Sequence, residues 1–190
     1  MNANAPNATT EVGDLKQRQF LKLTRTERFK SFVWSLVRLT LFRWSPPPLN
    51  GWRRFLLRIF GCKIHSSVTM APSTRIEFPW NLNIAQNVVI AHRVIINCTG
   101  QVTIGTGTLI SQYAHLCTGT HDYTKRDMNI LRCPISIGKN VWIAADAFVG
   151  PNVTIADGSL LAARSSAFHD LPAGQVCIGE PAKPTRPWNQ

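Results

Sequence analysis

Aliphatic residues recur every six positions through most of this 190-residue chain. A period of six matches neither an α-helix nor the simple alternation of a β-sandwich strand, whereas a short strand plus a tight corner uses about six residues. Three such sides close a triangular coil, and the small residues that often follow the aliphatic ones ease the corners. We therefore predict an all-β fold, a parallel β-helix of about five coils over residues 64–172. Its interior positions would be Ile64, Met70, Ile76, Ile84, Ile90, Ile96, Ile104, Ile110, Leu116, Ile137, Ile143, Val149, Ile155, Leu161 and Ala167.

The period is interrupted once, between Leu116 and Ile137. Residues 121–136 are mostly polar and carry charges of both signs. Insertions in repeat folds commonly form the binding face, because loops on a rigid scaffold carry function. We expect a loop excursion at 121–136 that contributes to the functional site.

Residues before the repeat have helical spacing. Residues 1–19 are polar and predict a flexible tail, and residues 20–63 predict a basic helical segment broken by the prolines at 46–48. Asn50 is the expected cap of the second helix. The expected apolar stripe of that helix consists of Trp52, Phe55, Leu56, Ile59 and Phe60, with Arg54 and Arg58 on another face. Residues 173–190 predict a C-terminal strand and tail.

The charge is concentrated at the start of the chain. Residues 1–63 hold 12 Lys and Arg against 3 acids, whereas residues 64–190 hold 9 against 7. A basic segment usually binds the phosphate groups of nucleic acid or of anionic lipid. Because this one is rich in tryptophan and aliphatic residues, an amphipathic helix is favoured over nucleic-acid binding. Residues 20–60 would pack on the β-helix or lie on an anionic membrane surface, and both alternatives stay open.

Cysteine usage and the opening residues predict a cytoplasmic location. The five cysteines are an odd number without a CxxC pair, and residues 1–19 lack the apolar core of a signal peptide. A peripheral position at the inner face of the membrane is compatible with this prediction.

Several motifs resemble one enzyme family. The runs Pro134–Ile143 (PISIGKNVWI), Val149–Ile155 (VGPNVTI) and Gly179–Lys183 (GEPAK) resemble the maltose, galactoside and polysaccharide O-acetyltransferases. The closest resemblance is to the colanic acid biosynthesis acetyltransferases, and it covers about residues 30–183. Its marks are TLFRWSP at 40–46, WRRFLLR at 52–58, LCTGTHD at 116–122 and ARSS at 163–166.

The resemblance has consequences for fold and chemistry. It implies a left-handed β-helix assembled as a homotrimer, with three active sites between subunits. It also implies an O-acetyltransferase that takes acetyl-CoA as acyl donor and a sugar hydroxyl as acceptor, and that acts in exopolysaccharide biosynthesis. No metal is implied.

One histidine matches the family's catalytic position. A sugar hydroxyl is a poor nucleophile until a base removes its proton, and a histidine suits that role. His121 stands in the Thr-Gly-Thr-His-Asp motif where the repeat gives way to the excursion. The resemblance therefore makes it the general base; the simpler alternative is a loop histidine bonded to backbone.

Neighbouring residues are candidates for the acceptor site. His115 precedes His121 by one hexad and would be a structural or acceptor-lining group. Asp122 and Tyr123 would shape the acceptor pocket, although either could be a turn residue.

Coenzyme A needs an apolar slot for pantetheine and cations for its phosphates. By position in the family, Trp142, Ala145 and Ala163 would line the slot, and Lys183 would meet a nucleotide phosphate, with Arg164 as a second candidate. Where the family has Thr-Lys, this chain has Phe168-His169.

Two other functions compete with acyl transfer. One is a non-catalytic hexapeptide scaffold, against which the intact motifs around His121 and at 179–183 argue. The other is a zinc protein like the γ-class carbonic anhydrases, which bind the metal through three histidines. Here the spacing is His115-x5-His121, whereas that class has an H-x4-H pair, and no third histidine has an obvious companion position.

Overall fold

The structure is a computed structural model that describes residues 19–20 and 23–188. Short parallel strands form the three faces of a prism. The first face contains β2 (Lys63–Ile64), β5 (Leu82–Ile84), β8 (Val102–Ile104), β13 (Ile135–Ile137) and β16 (Thr154–Ile155). The second contains β3 (Thr69–Met70), β6 (Val89–Ile90), β9 (Leu109–Ile110), β14 (Trp142–Ile143), β17 (Leu160–Leu161) and β19 (Gln175–Gly179), edged by the antiparallel β20 (Ala182–Pro187). The third contains β4 (Arg75–Ile76), β7 (Ile95–Asn97), β10 (His115–Cys117), β15 (Phe148–Val149) and β18 (Ser166–Ala167).

The interior of the prism is the predicted aliphatic ladder. All positions named from the hexad period are buried, and equivalent ones stack in register, as Ile64, Ile84 and Ile104 do on the first face. Five coils are complete, and a sixth is begun where Leu171 bridges Ile155 and β19 joins the second face. The predicted fold class, a left-handed parallel β-helix with an N-terminal helical segment, is confirmed.

The corners depend on residues that tolerate the left-handed backbone region. Asn87, Asn140 and Asn152 have φ of 56°, 52° and 64°, and asparagine adopts that region more readily than other side chains. Elsewhere adjacent coils leave no room for a side chain. A Cβ on Gly105 would lie 2.4 Å from the carbonyl oxygen of Gly138.

Two helices cover the first coil. The helix α1 (Arg25–Val37) begins with a capping box between Thr24 and Glu27, and continues into a π-helical turn, Arg38–Phe42. The indole Nε1 of Trp34 donates to the carbonyl of Ile76 at 2.8 Å, which holds α1 against the third face. No helix among the described residues is long and apolar enough to cross a membrane.

The second helix, α2 (Asn50–Ile59), corrects two predictions. Asn50 does not cap it: its Oδ1 accepts from the backbone N–H of Met70, 3.0 Å away, because α2 lies directly over β3. The predicted apolar stripe is also split. Leu56 and Phe60 are buried, whereas Trp52, Phe55 and Ile59 are exposed.

The arginines of α2 explain that split. Arg54 donates to the carbonyl of Val68 at 2.7 Å and Arg58 to that of Ile64 at 2.8 Å, so the charged face of the helix lies towards the prism. Arg53 is fully buried. The exposed ends of the first coil offer carbonyl acceptors that arginine satisfies, and the aromatic face is thereby turned outward.

The N-terminal tail predicted for residues 1–19 lies almost wholly outside the described residues. The backbone of β1 (Gln19–Phe20) pairs antiparallel with β12 (Ile130–Arg132), which belongs to the excursion.

Candidate active site

The excursion after β10 is a hairpin that projects from the prism. Its strands are β11 (Gly119–His121) and β12, paired antiparallel with His121 opposite Ile130. The turn between them is closed by backbone bonds such as Asp122 N–H to the Asn129 carbonyl at 2.9 Å. The side chain of Arg132 lies 3.7 Å from Glu27, so the hairpin is tied to α1. The predicted polar excursion is therefore an ordered element on the third-face side.

His121 ends β11 and is exposed. Its Nδ1 lies 2.6 Å from the carbonyl oxygen of Met128. A carbonyl oxygen only accepts, so Nδ1 carries the hydrogen and the neutral ring keeps its lone pair on Nε2. The hairpin thus supplies an oriented imidazole that can accept a proton.

Asp122 and Tyr123 form the turn that follows. The Asp122 carboxylate accepts from the backbone N–H of Thr124 at 3.2 Å and from its hydroxyl, and it pairs with Lys125 at 3.5 Å. The hydrogen bond from the Thr124 hydroxyl is the main cause that lowers the Asp122 pKa. Tyr123 is 72 % exposed. The contacts of Asp122 are those of a turn residue, and the acceptor-binding role stays a prediction for both.

His115 lies on the outer side of the third face and is half-buried. Its ring meets that of Phe148 edge-on, with 5.5 Å between centroids. Burial lowers the His115 pKa, Glu77 raises it and Arg75 lowers it further. The ring thus packs against Phe148 and lies within reach of the charges of Glu77 and Arg75, and its structural or acceptor-lining role stays a prediction.

The residues predicted to bind coenzyme A fall near the second face and its corner with the third. Trp142, in β14, donates from Nε1 to Ser111 Oγ at 2.9 Å, and its ring lies 6.3 Å from that of Trp188. Ala145 and Ala163 lie at equivalent corners of successive coils, joined by the bond from Arg164 N–H to the Ala145 carbonyl at 3.0 Å. Trp142 and Ala163 are exposed, whereas Ala145 is half-buried.

The candidate phosphate ligands are less closely grouped. Arg164 is exposed at the same corner, 3.5 Å from Asp146. Lys183 is exposed on β20, opposite Ile178. At the position where Phe168 replaces the family's threonine, its ring packs on Phe148 with 5.7 Å between centroids.

Comparison with known proteins identifies the family. No family model matches the chain. WcaF of Escherichia coli strain K12, named for acetyl transfer in colanic acid biosynthesis, is 45 % identical over 150 residues, which are 79 % of this chain and 82 % of WcaF. The chain belongs to the hexapeptide-repeat acetyltransferases. A second relative, the galactoside O-acetyltransferase of Escherichia coli strain K12, is 28 % identical over 78 % of this chain and 74 % of its own length.

Solved structures share the fold of this acetyltransferase. The acetyl-CoA complex of the acetyltransferase VCA0836 from Vibrio cholerae superimposes with a TM-score of 0.80 at 24 % identity, over 93 % of this chain and 96 % of its own. The maltose O-acetyltransferase of Clostridium difficile 630 gives 0.79 at 20 % identity, over 88 % and 90 % of the two chains. A galactoside acetyltransferase bound to coenzyme A gives 0.78 at 23 %, over 90 % and 86 %.

Two further observations bear on the site residues predicted from the sequence. Within residues 19–20 and 23–188, no three His, Cys, Asp or Glu side chains converge as metal ligands. Sequence reasoning missed the outer row of the third face that continues from His115. Arg75, Ile95 and His115 are in direct register there, and the only available signal was their common spacing of 20 residues.

Proposed function

We propose that this acetyltransferase transfers the acetyl group of acetyl-CoA directly to a sugar hydroxyl, in exopolysaccharide biosynthesis, with His121 as general base. The hydrogen bond from Nδ1 of His121 to Met128 carries the proposal. It leaves Nε2 as a free acceptor on an exposed edge, where a hydroxyl can approach. The name of WcaF supports the polysaccharide context.

The chemistry needs one proton acceptor. Nε2 takes the hydroxyl proton while the sugar oxygen forms a bond to the thioester carbonyl carbon. The carbon–sulfur bond then breaks, and the protonated imidazole returns its proton to the departing thiolate. The products are an acetyl ester and the free thiol of coenzyme A, and the histidine is neutral again.

The donor site would lie along the second face. Trp142 and the two small corner residues Ala145 and Ala163 suit a narrow apolar pantetheine arm, because they expose apolar atoms without filling the space. Lys183 and Arg164 are the cations proposed for the phosphates, since both are exposed at the same end of the prism. The acceptor would contact Asp122, Tyr123 and His115 around the base.

A homotrimer would complete this site. Trp142 and the corner alanines lie on the outside of a single prism, so one chain supplies only one wall of a slot. A threefold neighbour would supply the other wall and bring a second surface to the hairpin of His121.

We place the enzyme in the cytoplasm, at the inner face of the membrane. The helical segment exposes large apolar side chains, which we call the apolar helical surface: Phe29, Phe32, Leu36, Leu39, Leu41, Trp44, Leu49, Trp52, Phe55 and Ile59. An exposed apolar area of this kind marks an interaction site. Positive charge accompanies it, with exposed Arg25 and Arg28 on α1. Tryptophan and arginine together suit the headgroup region of an anionic bilayer.

An acceptor screen tests the enzymatic proposal. The full chain would be incubated with acetyl-CoA and each of a panel of neutral, phosphorylated and uronic-acid sugars, while thiol release is followed and products are weighed by mass spectrometry. We expect thiol release that depends on one acceptor class, with an acetyl ester on its product. Thiol release that no sugar stimulates, with no acetylated sugar, would reject the proposal.

A further inference from the structure

A small polar cavity lies between α1 and β4, at the first coil of the prism. Its volume is about 140 Å³, and it is lined by Ser31, Ser35, Arg38, Arg75, Glu77 and Phe78. Two guanidinium groups and two hydroxyls therefore surround a space that also borders one carboxylate. These are the groups that proteins use to hold phosphate and carboxylate oxygens.

The positive charge in this cavity is only partly neutralised. Arg75 donates to Glu77 at 2.7 Å. The guanidinium of Arg38 makes no hydrogen bond or ion pair within the part of the chain that the structure describes, although Glu77 acts on it electrostatically. Burial lowers the Arg38 pKa, and the charge of Arg75 lowers it further. The half-buried guanidinium of Arg38 therefore has N–H donors left with which to bind an oxyanion.

The serine hydroxyls are equally available. Neither Ser31 nor Ser35 uses its hydroxyl in a hydrogen bond to any described residue, whereas Thr40, one turn beyond Ser35, bonds its hydroxyl back to the Leu36 carbonyl at 2.7 Å. The two serines are four residues apart, so they lie on one side of α1. The hydroxyls of the two serines and the guanidinium of Arg38 are therefore hydrogen-bond donors that no described residue accepts from.

Side-chain contacts on either side of these donors hold α1 against the prism. Trp34, which lies between Ser31 and Ser35 in the chain, is fixed by its bond to Ile76, and Lys30 lies over the Trp80 ring at 4.6 Å from the centroid. The π-helical turn begins at Arg38. Wide turns of this type cost stability and frequently lie at functional sites.

The cavity lies at the third face, which carries His115 and leads into the hairpin of the proposed base, and not at the proposed donor site. Arg75 is in register with Ile95 and then His115, so it lies two strand spacings from His115, about 10 Å. The hairpin of His121 is tied to α1 through Glu27 and Arg132. The Ala163–Arg164 corner belongs to the last complete coil, at the opposite end of the prism from β4.

We propose that the cavity between α1 and β4 binds an oxyanion carried by the acceptor, a phosphate or a carboxylate, while the acceptor hydroxyl reaches His121. This inference rests on the proposed function for the hydroxyl, but the binding of the anion does not. The cavity selects acceptors that carry an anionic group in addition to the acetylated hydroxyl. Arg38 and the two serines bind the oxyanion, and the Arg75–Glu77 pair sets its outer boundary.

Binding of inorganic phosphate tests the site directly. Phosphate would be titrated into the full chain saturated with coenzyme A, so that the donor phosphate contacts are already occupied, and followed by ³¹P line broadening. Arg38→Gln should weaken phosphate binding about tenfold or more, the usual value of a charge-assisted bond. Ser31→Ala with Ser35→Ala should weaken it by less. Arg43→Gln, an exposed arginine five residues along, should bind phosphate as the wild type does.

Three sugars distinguish the source of the anion. Glucose 1-phosphate, glucuronate and glucose would each be titrated against bound inorganic phosphate in the wild type and Arg38→Gln, and displacement would be followed by narrowing of the inorganic phosphate ³¹P line. Tighter binding of the first indicates a phosphate-bearing acceptor, and tighter binding of the second indicates a uronic acid; either preference should vanish in Arg38→Gln. Glucose should not distinguish the two proteins.

The outcomes separate this inference from the proposed function. His121→Ala should bind phosphate as the wild type does, even if acetyl transfer is abolished. If wild type, Arg38→Gln and Arg43→Gln bind phosphate equally weakly, the basic surface alone is responsible and the cavity is not a site, whatever the acceptor screen finds.

Discussion

The ring of His121 and the carbonyl of Met128 face each other across the turn of the hairpin, with 2.6 Å between Nδ1 and the oxygen. The contact spans only seven residues of chain, so a single local element orients the proposed base. Met128 adopts a φ of 46° to present its carbonyl there. The left-handed backbone of a non-glycine residue persists only where its surroundings hold it.

Replacement of His121 tests the base. His121→Ala should lower kcat by roughly 10²–10⁴-fold, the usual contribution of a positioned base. KM for acetyl-CoA should change little, because the ring acts on the acceptor hydroxyl. The melting temperature should stay near that of the wild type, since the side chain is exposed. His115→Ala should cost less activity. Full activity of His121→Ala on the true acceptor would contradict the mechanism.

Assembly should be threefold. Because one prism would supply only one wall of the proposed donor slot, we expect light scattering coupled to size exclusion to give the mass of a trimer of 21.2 kDa chains. Activity should follow the trimer on dilution. A monomer that is stable and fully active would show that the slot needs no neighbour.

The apolar helical surface should bind anionic vesicles. In flotation, the wild type should rise with vesicles that contain phosphatidylglycerol, less so at high salt, because charge and apolar insertion act together. Trp44→Ser with Phe55→Ser should reduce flotation, since Trp44 is 83 % and Phe55 52 % exposed. Val89→Ser, an exposed position on the second face, is the matched control. If all three proteins float equally, or if none floats, the apolar helical surface is not what binds the vesicles and the prediction is wrong.

Acid should destabilise the protein through His115. Burial lowers the His115 pKa, so the folded chain keeps the ring neutral where the unfolded chain already binds a proton. This contribution is complete above the unfolded value of about 6.5 and is lost as the pH falls through the lowered value. Denaturant midpoints measured from pH 7.5 to 5 should therefore fall less for His115→Gln than for the wild type. A steeper fall in the variant would contradict the sign.

Arg53 should be a major determinant of stability. Its guanidinium is buried and donates to Ser45 Oγ and the Pro46 carbonyl at 2.9 Å each, to the Pro47 carbonyl, and to Asn50 Oδ1 at 3.1 Å. Arg53→Ala removes all four bonds, leaves the Pro47 carbonyl without its donor, and should cost about 3 kcal/mol in the free energy of unfolding. Arg53→Lys should recover little, because an ammonium cannot span the fork. Arg43→Ala should be nearly neutral; an equally small loss for Arg53→Ala would contradict the assignment.

The sequence alone determined the prism and the place of the proposed site. In a hexad repeat, Ile84, Ile104 and Ile137 are buried together when successive coils stack in register. The six-residue period therefore predicts which residues face the interior. The break in that period located the hairpin of His121, because a polar insertion cannot enter an aliphatic ladder.

Tertiary structure decided what the period does not constrain. Helical spacing predicted a single apolar stripe on α2, but the carbonyls at the end of the prism bind Arg54 and Arg58, and Phe55 is turned outward. Which ring nitrogen of His121 keeps its lone pair depends on the position of the Met128 carbonyl. The cavity of Arg38 and Arg75 joins residues from a helix and a strand. Such contacts depend on how elements pack across space, and hydrophobic spacing along the chain carries no information about them.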